Sequence, residues 1–190
     1  LFLIIITTFY AGELVWRERG LRVAEATDAY ALPDWIPLAS KMTALAGLVV
    51  AFLLAGALFT AGWQLGHGYT AFEPLLYLKA LAAIPFVLMA ALAVFLQAVS
   101  GNKFIGYLLM IVYLVMRATM GMLDLDHLLY RYGSATPIPY SDMNQYGHFL
   151  GPHLLLRGYW VAFAVALLAV TLLFWPRGTS LAVRDRLRLA

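Results

Sequence analysis

The chain has 190 residues, of which 63% are hydrophobic, only 12% are charged and none is cysteine. A soluble domain is about one quarter charged, so this composition indicates an integral membrane protein. The absence of cysteine excludes disulfides and thiolate metal sites. The net charge of +3 is small and lies beside apolar segments, so we expect no nucleic-acid partner. The predicted fold class is all-α, a polytopic helical membrane protein.

The apolar stretch Leu1–Phe9 opens the chain. About ten residues cannot cross a bilayer that needs roughly twenty. We therefore expect this stretch to be the tail of a truncated first span, and the chain to be part of a longer protein.

A charged stretch, Tyr10–Lys41, follows. Its acid–base pairs Glu13–Arg17 and Glu18–Arg22 have the i,i+4 spacing that stabilises helices. The pattern predicts a short surface helix ending at or before Pro33, and then a new helix capped by Asp34 with Pro37 in its first turn. The alternative is a solvated loop between two spans, because charge runs are commonly that.

Four complete spans are predicted, at about Pro37–Leu65, Phe72–Val99, Phe104–Leu123 and Tyr159–Trp175. The predicted span Phe72–Val99 contains Pro85, which predicts a kink. The predicted span Pro37–Leu65 has a small residue at every fourth position, and this row predicts a helix-packing face. The residues are Ala39, Thr43, Gly47, Ala51 and Ala55. Arg117 is an intramembrane charge, and its expected partner is Asp124 or Glu73, since an unpaired arginine is costly there.

Residues 124–158 form a polar, aromatic-rich segment that Pro137 and Pro139 divide into two predicted interfacial helices. The histidines of the same predicted side, His67, His127, His148 and His153, lack a metal-binding spacing such as HExxH. We expect no metal, no other cofactor and no catalytic residue. A membrane-embedded hydrolase that uses these histidines remains an alternative.

The basic residues predict the orientation, because cytoplasmic loops are rich in Lys and Arg. The charged stretch, the link Ser100–Lys103 and the C-terminal tail are expected on the cytoplasmic side. His67 and residues 124–158 are expected outside. The opposite orientation places most basic residues outside: Arg17, Arg19, Arg22, Lys41, Lys103, Arg177, Arg184, Arg186 and Arg188.

The order of span, charged element and proline resembles the type 2 ABC exporter permeases. The family's element has a Gly-Glu pair, a following Arg-Glu-Arg run and then a proline, which correspond to Gly12, Glu13, Arg17, Glu18, Arg19 and Pro33 here. The resemblance implies that residues 10–36 are a cytoplasmic coupling segment that docks on a separate ATP-binding subunit. The candidate coupling residues are Glu13, Trp16, Arg17, Glu18, Arg19 and Arg22.

A narrower resemblance covers nearly all of the chain. The phrases YAGELVWRER, GHGYTAFEPLLYLK, GNKFIGYLLM, YRYGSATPIPYSDMNQYGHF and FWPRGT are similar to a bacterial group that fuses such a permease to a zinc aminopeptidase. The zinc motif of that group is absent from this sequence, so the resemblance implies that any peptidase activity belongs to another domain.

The resemblance implies a transmembrane permease domain over residues 1–190, in a bacterial inner membrane. Its expected partners are an ABC ATP-binding subunit, the lipid bilayer, and further transmembrane helices of a longer protein or a second permease. The alternative from another class is a structural membrane anchor for a fused aminopeptidase.

The orientation is testable because the chain has no cysteine of its own. Single cysteines introduced as Arg19→Cys and Ser134→Cys should react with a membrane-impermeant thiol reagent from opposite sides of the membrane. Reaction of both from the same side would contradict the predicted topology.

Overall fold

The fold is that of a computed structural model, which describes residues 2–24, 26, 33, 35–68, 72–125, 127–139, 143 and 146–175. The described residues form five α-helices: α1 Phe2–Gly20, α2 Trp35–Gly66, α3 Phe72–Ser100, α4 Lys103–Thr119 and α5 Leu150–Phe174. Short 3-10 helices at Met120–Leu123 and Gly147–Phe149 follow α4 and precede α5.

The membrane character that composition predicts is supported by helix length and apolarity. Within the described ranges, four helical stretches are long and apolar enough to cross a bilayer: Trp35–Gly66, Tyr77–Ser100, Lys103–Leu123 and Gly147–Phe174. Most apolar side chains on α2, α4 and α5 face outward, as helices surrounded by lipid require.

Helix α3 is the axis of the bundle, because it packs against each of the other four described helices. Its second half is rich in alanine, and Ala90, Ala91, Ala93 and Ala98 are all buried. Small side chains let neighbouring helices approach closely, which is the main source of helix association in lipid. Pro85 lies inside α3 without ending it.

The N-terminal part of the chain forms one helix where the sequence predicted two separate segments. The expected tail of a first span and the start of the charged segment belong to one uninterrupted helix, α1, which ends at Gly20. The chain then leaves the helix at Arg22, whose φ is 57°. Helix α2 begins at Trp35 with Pro37 in its first turn, as predicted, whereas the capping role of Asp34 lies outside the described residues.

The predicted packing face of α2 is wrong for contacts within this chain. Thr43, Gly47, Ala51 and Ala55 are exposed, and α2 instead buries a stripe of larger side chains that includes Leu38, Leu45 and Val49. Helix packing here depends on the side that faces α3, and the four-residue spacing alone does not identify that side.

Contacts define two ends of the bundle. The end of α1, the start of α2, the α3–α4 link and Trp175 meet at one end, called the α1 end below. The segment before α5 packs at the opposite end, where Tyr132 contacts α3. Two of the three segments predicted to be cytoplasmic, the charged stretch and the α3–α4 link, thus meet at the α1 end. The third, the C-terminal tail, lies outside the described residues.

The start of α5 also differs from the prediction. The helix begins at Leu150 rather than near Tyr159, so part of the expected interfacial segment forms its first turns. Helix α4 begins where predicted because Asn102 caps it, accepting a hydrogen bond from the Phe104 amide at 2.9 Å.

The packing role of α3 predicts an asymmetry between two alanines. Ala90→Leu should destabilise the protein by about 1–3 kcal/mol, because the site is fully buried and has no room for added methylene groups. Ala80→Leu, at an exposed position of the same helix, is the matched control. Thermal unfolding in detergent measures both, and equal midpoints would contradict the central position of α3.

Candidate functional site

The last turns of α1 are attached to α2 by an ion pair. Glu18 Oε1 lies 2.8 Å from Lys41 Nζ, which also lies 5.3 Å from the centre of the Trp175 ring. The Lys41 side chain is only 7% exposed, and that of Glu18 is 44% exposed. A buried ammonium requires such an acidic partner, and the aromatic face adds a favourable cation–π contact.

A second ion pair attaches α1 to α4. Lys103 Nζ donates to Glu13 Oε1, and the Tyr107 hydroxyl donates to the Phe9 carbonyl at 3.2 Å. The Tyr107 ring lies directly over Gly12, where any Cβ would collide with it. Gly12 is therefore needed for the close approach of the two helices.

These contacts correct the predicted pairing within α1. Within the described residues, Glu13 and Glu18 do not pair with Arg17 and Arg22, but with lysines of other helices. Arg22 cannot form an i,i+4 pair because α1 ends before it, and Arg17 lies on the exposed side.

Trp16 connects α1 to the centre of the bundle. Its Nε1 donates to Gln97 Oε1 of α3 at 2.9 Å, and Gln97 is 1% exposed. Each of these polar groups satisfies the other in a site with little access to water. The Arg19 guanidinium lies 5.9 Å from the centre of the Trp16 ring.

The outer side of α1 remains open. A groove of about 470 Å³ runs along it, and its described lining residues are Tyr10, Glu13, Leu14, Trp16, Arg17, Gly20 and Leu21. Tyr10 and Leu21 are more than half exposed. Arg17 is exposed, and in the described part of the chain its side chain forms no hydrogen bond or ion pair.

The six predicted coupling residues thus differ in their surroundings. Glu13, Trp16 and Glu18 bind other helices of this chain, whereas Arg17 and Arg22 are exposed. Arg19 is half-buried beside Trp16. Sequence reasoning missed their partners Lys41, Gln97 and Lys103. A polar residue inside or at the edge of an apolar helix was the available signal for each.

Arg117 lies near the end of the bundle opposite the α1 end. The prediction that Asp124 is its partner is wrong. Its Nη1 donates to the Tyr132 carbonyl and approaches the Tyr113 hydroxyl at 3.4 Å. Asp124 is exposed and has a left-handed backbone with φ 54°, so it has left the helical face that the i+7 spacing assumed. The Glu73 side chain lies outside the described structure.

Arg117 belongs to a polar cluster around residues 132–136. Arg157 Nη1 donates to the Gly133 carbonyl at 2.5 Å, and Arg157 Nε lies 3.2 Å from His153 Nε2. His153 Nδ1 lies 2.6 Å from the Thr136 carbonyl. These contacts hold the segment before α5 against the helices by its backbone.

Tyr132 fixes the same segment to α3. Its hydroxyl donates to the Leu88 carbonyl at 2.9 Å, and its ring contacts the Trp160 ring edge to face at 5.3 Å. Burial raises the pKa of the Tyr132 phenol well above its usual value, so the neutral donor form persists.

The histidines do not assemble into one site. His67 stacks on Trp63 at 4.1 Å and His127 contacts Tyr130, while His153 is buried in the polar cluster. Among the described residues, no group of three or more His, Asp or Glu side chains could hold a metal ion.

Comparison of the chain with protein-family models, with curated proteins and with solved structures finds no match.

The Trp16–Gln97 hydrogen bond predicts a specific pattern in a double-mutant cycle. Gln97→Leu should cost about 1–3 kcal/mol of unfolding free energy, because it leaves the Trp16 indole without its acceptor. Adding Trp16→Phe to Gln97→Leu should cost less than Trp16→Phe costs alone, since the unpaired donor is removed. Unfolding in detergent measures all four forms, and strict additivity would mean that the bond contributes nothing.

Proposed function

We propose that this chain is the membrane-spanning permease portion of an ABC transporter in a bacterial inner membrane. It would couple ATP hydrolysis by a separate ATP-binding subunit to movement of a substrate. The observation that carries the proposal is the arrangement at the end of α1. One side of this helix is bound to three other helices by its own polar residues, and its outer side is open.

The inner side of α1 is suited to transmit movement. A displacement of α1 would act on α2 through Glu18–Lys41, on α4 through Glu13–Lys103 and on α3 through Trp16–Gln97. The Trp16–Gln97 bond and the Glu18–Lys41 pair each include a buried partner, which helps them keep their geometry. The Glu13–Lys103 pair is more exposed, and such pairs contribute only about 0–1 kcal/mol. A partner that binds α1 differently in two states would then bias the arrangement of the bundle.

The outer side of α1 is suited to bind a soluble partner. Tyr10 and Leu21 offer apolar and aromatic surface, and Arg17 offers a guanidinium that no described residue occupies. Aromatic residues and arginine are enriched among the residues that dominate protein–protein binding. An acidic residue on the ATP-binding subunit could accept a bidentate contact from Arg17.

Two substitutions on opposite sides of α1 separate docking from transmission. The partner to test is an ATP-binding protein encoded beside this chain. Arg17→Glu should reduce its co-purification by about tenfold or more, because it reverses an exposed contact charge. Glu18→Gln should leave co-purification unchanged. It should reduce the transport-dependent part of the ATPase activity, because it weakens the attachment of α1 to Lys41.

The control is Lys79→Glu, which reverses a charge on α3 outside the α1 end. It should alter neither co-purification nor coupling. If Arg17→Glu and Glu18→Gln behave like this control, the charged end of α1 is only a solvated linker between two helices. The alternative function, a structural membrane anchor for a fused aminopeptidase, is then favoured.

A further inference from the structure

Two arginines from different helices meet at the opposite end of the bundle. Arg117 of α4 donates to the Tyr132 carbonyl, and Arg157 of α5 donates to the next carbonyl along the chain, that of Gly133. Both side chains are half-buried. Because Tyr132 and Gly133 are consecutive residues, these bonds bring the two guanidinium groups near each other, and their positive charges repel.

Among the described residues, no carboxylate pairs with Arg117 or Arg157. In the described part of the chain, the ion pairs are Glu18–Lys41 and Glu13–Lys103, both at the α1 end. The contacts of Arg117 and Arg157 are backbone carbonyls, the Tyr113 hydroxyl and the His153 ring. A pair of half-buried cations without an acid is costly, and a bound anion would remove that cost.

The surroundings add further donors that have no acceptor. Trp160 Nε1 and Thr136 Oγ1 are buried and, among the described residues, form no hydrogen bond. Trp160 contacts the Tyr132 ring, and the Thr136 carbonyl contacts His153, so both belong to the same cluster. Each guanidinium has five N–H donors, and the observed bonds use only some of them.

We propose that Arg117 and Arg157 form a binding site for an oxyanion of the phosphate class. One guanidinium already matches a planar carboxylate, whereas two from separate helices suit a tetrahedral anion with oxygens in several directions. Arg117 lies towards the end of the candidate span Lys103–Leu123, and Arg157 lies in the first half of the candidate span Gly147–Phe174. Long arginine side chains in such positions can extend towards the headgroup phosphates of a bilayer. The anion is therefore a phospholipid headgroup or a free phosphate.

The first experiment uses the full chain in an uncharged detergent. Phosphatidylglycerol should raise the thermal unfolding midpoint and give a one-to-one adduct in native mass spectrometry. Diacylglycerol with the same acyl chains lacks the phosphate and should do neither. In a separate arm, inorganic phosphate replaces chloride at equal ionic strength.

The two arms distinguish the sources. Stabilisation by phosphatidylglycerol alone assigns the site to a lipid, and stabilisation by inorganic phosphate as well assigns it to a free anion. Both outcomes support an oxyanion site. If phosphatidylglycerol acts no better than diacylglycerol and phosphate no better than chloride, the proposal is overturned.

Variants then locate the site. Arg117→Gln and Arg157→Gln should each weaken binding of the effective anion by about tenfold or more, because each removes a charge-assisted donor. Lys79→Gln removes the same charge from α3 and should leave the affinity unchanged. Equal affinities for all three variants would place the anion elsewhere and overturn the assignment. If either arginine variant fails to fold, the phosphatidylglycerol and inorganic phosphate experiments on the unaltered chain still test whether an oxyanion binds.

Discussion

The burial of Lys41 is the constraint on which the α1 end depends. An ammonium group that is 7% exposed needs an acid, and Glu18 supplies it at 2.8 Å. This requirement fixes how far α1 extends past α2 and which side of it faces inward. Glu13 and Trp16 lie five and two residues before Glu18 on α1, and they are thereby placed beside Lys103 and Gln97. The ring of Trp175 then closes the site from the end of α5.

The helices were predictable from the sequence, and most of their bounds were close. Apolar length alone identifies α2, α3 and α4, because a bilayer demands about twenty apolar residues whatever the neighbours are. The start of α5 was missed because residues 150–158 include Gly151, Pro152 and Arg157, which interrupt the apolar pattern. Proline in a first helical turn loses no hydrogen bond, so it does not mark the end of the preceding segment.

Contacts between helices were not predictable in the same way. The spacing of Glu13 and Glu18 within α1 suggested local pairs, but lysines from other helices compete for the same carboxylates. The small-residue row on α2 indicated a packing side, yet position around the bundle decides which side faces α3. The partner of Arg117 was sought among acids, although a backbone carbonyl can also accept a hydrogen bond from a guanidinium.

The central position of α3 also constrains the order in which the bundle can form during synthesis. Helices α1 and α2 are synthesised before α3, yet both place buried side chains against it. Until α3 is inserted, the Glu18–Lys41 pair can join α1 to α2, but Trp16 has no Gln97 to bind. The packing of α1 and α2 therefore stays incomplete until α3 is inserted, and α3 is the helix that joins the described helices into one bundle.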